Sequence, residues 1–430
     1  MKYLVLLSFI LFKQSFFAQL DLKSCLSMAD TANLSIRNAA LDIELNKRER
    51  SSFLSSRLPQ LNFNADYKYN AKISGQVVPA AFFGGQPGTY ATVQFGVPFV
   101  LSNNIQLTQI LFNSQLGYGL AALKINADIV EIQRNMTIQD IHFQVANTYY
   151  LIQGINKQIE FLESNMLKTN KILKNINALI EKGLSVQLEA DKIRVNIMTL
   201  ENGISVAQSS KVQLTDLLKI LIGYPQNENL TIVNDEMIEQ SLLKSEENKQ
   251  YFPLRIIESQ QEMNKEESKG IKMSYLPNLN FYSVYNYSYN IKPQDNFRKG
   301  IDGVFIGLKM DWSLFDGLQR MHKSKLNLIK SEKLSNQYEL TSQQLEMTSN
   351  QAKRQIKVKS DALNLAKEQV KLAENIYNQT LTKFENGMAN STELILTENS
   401  LYQAQNNVVS NYIQLRQAEL EYLKSIGNLK

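Results

Sequence analysis

Few residues in this 430-residue chain could do covalent or metal chemistry. The two histidines, His142 and His322, share no ligand spacing and do not occupy equivalent positions in the repeat described below, so no metal site is expected. The single cysteine, Cys25, can form no internal disulfide. With Lys23 two residues before it, where a lipoprotein signal wants small apolar residues, it reads as a buried helix cysteine. Gly84-Gly85-Gln86-Pro87-Gly88 lacks the lysine and helix start of a phosphate loop and reads as an extracellular loop. Neither Gly-x-Ser-x-Gly nor Gly-x-Gly-x-x-Gly occurs, so neither an enzyme nor a cofactor is expected. What remains is a pair of glycine turns, Lys182-Gly183-Leu184-Ser185 and Asn386-Gly387-Met388-Ala389-Asn390, each followed by a carboxylate, Glu189 and Glu393. An exposed Leu184 or Met388 on such a turn is a small apolar patch that gains by burial against a partner.

The composition is that of a folded protein, 43% hydrophobic and 20% charged. A net charge of +5, with Lys and Arg interleaved among Glu and Asp, gives no footprint for nucleic acid. Lys2, the apolar run from Tyr3 to Phe12 and the stretch Ser15-Phe16-Phe17-Ala18-Gln19 read as a secretory signal over residues 1–19. No other stretch approaches the ~20 apolar residues that a membrane-spanning helix needs.

The elements that carry the two turns come from a duplication. Arg57-Leu58-Pro59-Gln60-Leu61-Asn62-Phe63 returns as Tyr275-Leu276-Pro277-Asn278-Leu279-Asn280-Phe281, 218 residues on. Leu111-Phe112-Asn113 returns as Leu314-Phe315-Asp316, Gly183 as Gly387 and Ile222-Gly223 as Ile426-Gly427, at offsets of 203 to 204. The drop in offset places one insertion between Phe63 and Phe112, at the Gly/Pro-rich segment 79–88. The expected organisation is a first repeat over 20–224, a linker over 225–252 and a second repeat over 253–430.

All eight prolines avoid residues 99–224 and 294–430. Because proline costs about 3 kcal/mol inside a helix, both stretches can be helical over great length. A seven-residue spacing runs through Ile138, Val145, Ile152, Ile159, Met166, Leu173 and Ile180. Its companion row is Ile141, Thr148, Ile155, Leu162, Thr169 and Ile176, polar only at the threonines. The second copy sets Ile356, Leu363, Val370, Tyr377 and Phe384 beside Ala352, Ala366 and Ala373, small against large, as close helix packing requires. One helix from Gln115 to about Leu179 would be roughly 100 Å long at 1.5 Å per residue. Glycine ends it, periodicity resumes, and each arm should fold back as a hairpin with its tip at 183 or 387.

Before each arm the period changes to two. Leu61, Phe63, Ala65, Tyr67 and Tyr69 alternate with Asn62, Asn64, Asp66, Lys68 and Asn70, and Leu279, Phe281, Ser283, Tyr285, Tyr287 and Tyr289 share one face in the repeat. The expected β-hairpins lie near 60–111 and 278–313, with return strands near 105–111 and 304–312; alternation over 91–99 would let the first return strand start earlier. Tyrosine-rich alternating segments of about ten residues are like membrane barrel strands with aromatic girdles. Four strands cannot close a barrel, and an open edge cannot sit in lipid, so hairpins that enter a membrane require several chains. A soluble coiled-coil scaffold or adhesin without a pore is the rival reading; it leaves the tyrosine-rich alternation unexplained.

A signal peptide followed by two copies of helix, Leu-Pro-x-Leu, β-hairpin, Leu-Phe-Asn/Asp and long helical hairpin with a glycine tip resembles the TolC outer-membrane efflux protein family. The resemblance covers the whole mature chain. It implies an α+β, mostly α fold, a two-repeat protomer of a trimeric transmembrane β-barrel continuous with a long periplasmic α-helical barrel. It implies an outer-membrane exit duct for efflux or type I secretion, extending into the periplasm. The implied partners are a homotrimer, outer-membrane lipid, a periplasmic adaptor and an inner-membrane pump, either a proton-driven RND pump or an ATP-driven ABC transporter. By position, Gly183, Leu184, Ser185, Gly387 and Met388 would be adaptor-binding tips. Glu189 and Glu393 would line or link the pore constriction, where an acidic ring favours cations. Leu396 departs from the family pattern, which places a second acid there.

Overall fold

The computed structural model describes residues 19–233 and 250–429. The expected signal, apart from Gln19, and positions 234–249 of the expected linker lie outside the described residues. In chain order the elements are α1 (Leu22–Ala32), α2 (Leu34–Ser55), β1 (Gln60–Tyr69), β2 (Gly75–Pro79), β3 (Tyr90–Gln94), β4 (Phe99–Phe112), α3 (Ser114–Glu181), α4 (Gln187–Ile222), α5 (Phe252–Met273), β5 (Asn278–Lys292), β6 (Phe297–Asp311), α6 (Gln319–Glu385) and α7 (Ser391–Ser425). Mostly α with a minority of strands, this is the expected fold class. The chain divides into two compact units.

One unit takes residues 43–129 and 257–336. Its centre is a four-stranded antiparallel sheet in the order β1-β4-β5-β6. The alternation of each strand is aligned with that of its neighbours. In one row Phe63, Ile105, Tyr285 and Val304 stand side by side, and in another Leu61 and Leu107 lead towards Ser283 and Ile306. One row between them is Asn62, Gln106, Val284 and Phe305; the next is Asn64, Asn104, Asn286 and Gly303, in which Asn286 donates to Asn104. Since directly paired residues point the same way, the sheet has one apolar and one largely polar face. Tyr67 and Tyr69 both stack on Phe99, gathering rings at the end of β1 away from the helices.

The return strands are longer than their cores suggested. The alternating stretch over 91–99 is divided: Tyr90–Gln94 pairs with β2 as a separate small hairpin, and β4 starts at Phe99. Gly96, at φ +142, and Pro98 make the break. The connection from β1 to β4 therefore carries a hairpin of its own, whereas β5 and β6 are joined by residues 293–296 alone. At the other end of the sheet the helices are locked to it. Arg320 at the start of α6 bonds Asp316 at 2.7 Å, donates to the carbonyls of Ser274 and Ser313 and lies over the Tyr275 ring. The buried Asn264 and Asn327 join α5 to α6 through three mutual hydrogen bonds.

The other unit takes the described residues up to 42, 130–256 and 337–429. It is a helical bundle in which both rows of α3 reach the core: Val145 and Ile152 of the first are buried, and so are Ile141, Leu162, Ile176, Thr148 and Thr169 of the companion row. Each threonine bonds a carbonyl one turn back, Thr148 to Gln144 at 2.7 Å and Thr169 to Asn165 at 2.8 Å, which removes the cost of a bare hydroxyl. Opposite them Ala352, Ala366, Leu363 and Tyr377 of α6 are buried. Burying each large apolar side chain stabilises the bundle by about 1.5–3 kcal/mol. Gly154 of α3 lets α7 approach so closely that a Cβ there would meet Ile413 at 2.5 Å. Leu20 bridges Ile232 in parallel, tying the start of the described chain to the segment after the first repeat.

Candidate functional site

Both glycine turns have the same construction. Gly183 has φ +71 and Gly387 has φ +73, left-handed values that favour glycine. Leu184 N donates to Leu179 O at 2.8 Å and Gly183 N to Ile180 O at 2.9 Å; Met388 N to Lys383 O and Gly387 N to Phe384 O repeat the pattern at 2.8 and 3.0 Å. These are Schellman motifs, which satisfy the last carbonyls of α3 and α6 and reverse the chain into α4 and α7. Leu184 and Met388 stand out from the turns, 72% and 71% exposed, with Ser185 partly buried beside the first.

The two carboxylates have unlike surroundings. The carboxylate of Glu189, in the first turn of α4, accepts from the hydroxyl and the backbone N–H of Ser391, the first residue of α7. Lys192 donates to it at 2.9 Å and reaches Thr392 at 3.1 Å. The Ser391 and Lys192 hydrogen bonds hold the Glu189 carboxyl below the usual carboxylate range. Glu189 therefore joins the two turns of one chain. Glu393 is exposed, and its backbone N–H is taken by the Asn390 side chain that caps α7. Leu396 is exposed as well.

A second constellation escaped the sequence reading. Leu394, Leu401, Val408, Leu415 and Tyr422 repeat every seven residues along α7 and are buried. Three residues ahead of each stands a buried polar-tipped partner: Ser391, Glu398, Gln405, Tyr412 and Glu419. Their bonds tie α7 to neighbouring helices along most of its length. Glu398 accepts from Thr169 of α3 and, at 2.7 Å, from Asn196 of α4. Gln405 accepts from Asn165 at 3.1 Å, and the Tyr412 hydroxyl donates to Gln153 at 3.3 Å. Glu419 accepts from Arg416 at 2.6 Å, and that guanidinium lies over the rings of Tyr150 and Tyr412. Polar groups repeated along an apolar seam satisfy one another in only one register of the helices. The period-seven spacing of α7 was the signal that could have revealed this row.

The residues with other chemistry are placed structurally. Cys25 is wholly buried, and burial pushes its thiol up to about 11, away from the reactive thiolate. His142 is buried with Nε2 2.7 Å from an Asp30 carboxylate oxygen, and His322 is exposed on α6. Among the described residues no group of three or more His, Cys, Asp or Glu is set to hold a metal ion, and no helix is long and apolar enough to cross a membrane.

Comparison with known proteins places this architecture. The model of the outer membrane efflux protein family matches residues 272–428, most of the second repeat. The fold matches CusC, a transmembrane channel, with a TM-score of 0.74 at 15% identity over 96% of this chain and 93% of that one. It matches the outer membrane protein VceC of Vibrio cholerae at 0.70, with 14% identity over 94% and 96% of the two chains. It matches the open state of the MtrE outer membrane channel of Neisseria gonorrhoeae at 0.73, with 14% identity over 95% and 89%. No curated protein matches the chain in sequence. Residues 272–428 thus match the outer membrane efflux protein family, and the chain has the fold of solved outer-membrane channels.

Proposed function

We propose that the chain is one third of a channel through the outer membrane, a passive exit duct for substrates delivered by an inner-membrane pump. The observation that carries this is the sheet. It has an exposed apolar face, a largely polar face and two unpaired edges, β1 and β6. Lipid tolerates strands only when every backbone group is bonded, so the edges must close on other copies. β1 runs away from the helices and β6 back towards them, so β1 of one copy and β6 of the next pair antiparallel, like every other pair in the sheet. Eight strands make a barrel whose interior side chains fill; twelve, from three copies, leave a lumen lined by the asparagine-rich face.

In this reading the turns at Gly183–Ser185 and Gly387–Met388 contact a periplasmic adaptor, supported by the exposure of Leu184 and Met388. Glu393 supplies free charge at the inner mouth, and Glu189 holds the hairpins of each chain together there. Neither role requires an active site, and energy comes from the pump. The test is fractionation followed by planar-bilayer recording. An outer-membrane protein that runs as a detergent-resistant trimer and conducts ions supports the duct; a soluble periplasmic monomer refutes it. Deletion of the gene should make cells hypersensitive to the pump's substrates.

A further inference from the structure

The hairpin inserted between β1 and β4 has no counterpart in the second repeat, and its composition is unlike that of a solvated loop. Asn70 closes its foot, with its N–H 2.7 Å from Pro98 O and its side-chain amide 2.9 Å from Val97 O. Above the foot β2 and β3 pair from Gly75·Gln94 to Pro79·Tyr90, and a 3-10 turn, Ala80–Phe83, caps them before Gly84 at φ +82. From residue 73 to 98 there is no Asp, Glu, Lys or Arg. Instead Phe82 is 81% exposed and Tyr90 73%, with Val77, Phe83 and Phe95 also exposed. At 150–250 Å² per aromatic side chain this is on the order of 600 Å² of apolar surface. That is as much as the largest patch on a typical monomer, on a two-stranded ribbon that is marginal when solvated alone.

We propose that this hairpin is a clasp between copies of the chain, packing on the β5–β6 turn of the next protomer. The proposal rests on the closed-barrel reading. The hairpin leaves the sheet from the outer end of β1, an edge strand. In a closed antiparallel barrel the strand beyond that edge is β6 of another copy, and the outer end of β6 is Phe297, Arg298 and Lys299, all exposed. Phe297 offers apolar contact, and the two cations suit the faces of Phe82, Phe83 and Tyr90. Charge argues against the membrane surface as the occupant. Segments that lie on anionic headgroups carry Lys and Arg, and residues 73–98 carry none.

The test places a photoreactive benzophenone amino acid at Phe82 of the full-length protein in native membranes. After irradiation the clasp gives a chain-to-chain adduct on denaturing gels that maps to residues 292–299. An adduct with lipid, an adduct within one chain, or no adduct overturns it. Replacing residues 71–97 by a short Gly-Ser turn should lower the temperature at which the oligomer dissociates while conductance persists; an unchanged dissociation temperature also overturns the clasp. Failure of the unmodified protein to oligomerise or conduct would instead overturn the barrel reading itself.

Discussion

Glu398 is 3% exposed, and its substitution separates the cost of a buried charge from the worth of its hydrogen bonds. Burial raises its carboxyl above the ordinary range, while Thr169, Asn196 and the nearby Lys168 pull it part of the way back. The buried Tyr377 hydroxyl on α6 has no hydrogen-bond partner among the described residues and offers no relief. A folded acid with a raised pKa holds its proton more tightly than the unfolded chain does. The bundle is thus most stable below the ordinary carboxylate value and loses stability as pH rises through the folded value. In Glu398→Ala, Thr169 keeps the carbonyl of Asn165 at 2.8 Å, so the group left bare is the Asn196 amide. That orphan costs about 1–3 kcal/mol, and the cavity brings the total to about 3 kcal/mol. Glu398→Gln keeps the volume and removes the charge. Its cost at neutral pH should lie within about 1 kcal/mol of zero, because a desolvated charge is itself expensive. Hydrogen exchange of peptides from α3, α4 and α7 in the assembled protein, at pH 5 and pH 7, reads both effects. Exchange should speed up in the alanine variant, and the slowing at pH 5 beyond intrinsic exchange should vanish in the glutamine variant. An alanine variant that exchanges like wild type, or a glutamine variant with the same residual pH slope, refutes the reasoning.

Gly387→Pro forces φ from +73 to about −65 and removes the N–H bonded to Phe384, so the second turn should reorganise and export should fail while the trimer still assembles; normal efflux in this variant excludes the turn from adaptor contact. Leu184→Asp and Met388→Asp should abolish crosslinking to an adaptor with conductance unchanged, and retained crosslinking refutes the tip assignment. Ser391→Ala removes one bond that holds the Glu189 carboxyl below its usual range. The tie it makes is present above the ordinary carboxylate pKa and lost as pH falls through the lowered folded value. The substitution should therefore move the acid-induced rise in channel opening to higher pH, measurable in bilayers; an unmoved transition refutes the tie.

The fold was legible because it is written in periods. Alternation from Leu61 and from Leu279 gave strands, proline-free heptads gave helices, and the drop in repeat offset marked the insertion that became β2 and β3. The hairpin's own pairing was not legible, since Tyr90–Gln94 alternates as well as any part of β4; the break at Gly96 and Pro98 decides between them. The polar row on α7 stayed hidden for a related reason. A heptad search weights apolar residues, and Glu398, Gln405 and Glu419 look like surface charges and amides until Thr169, Asn196 and Asn165 are brought across the bundle to the first two, and Arg416 of the same helix is buried beside the third.

The two carboxylates beyond the glycine turns show how far a repeat register can be trusted. Glu189 and Glu393 occupy equivalent positions, yet one is tied and the other free, and the residues beside them account for it. At the start of α7 the capping residue is Asn390, whose side chain takes the Glu393 N–H; at the start of α4 it is Val186, which offers no side-chain bond. The next residue is Ser391 in the second copy and Gln187 in the first. Ser391 has a hydroxyl and a free N–H near the beginning of its helix, and Glu189 takes both. Gln187 has no hydroxyl, and its side-chain amide donates to Asp191 on its own helix. Duplication supplied two acids at one spacing, and divergence at the caps gave them different work. Exchanging the caps, Val186→Asn with Gln187→Ser, should offer Glu393 a partner. If the exposure of Glu393 is what makes the mouth prefer cations, that exchange lowers cation selectivity in bilayers while Ser391→Ala alone does not; equal selectivity in all three proteins would remove Glu393 from the pore.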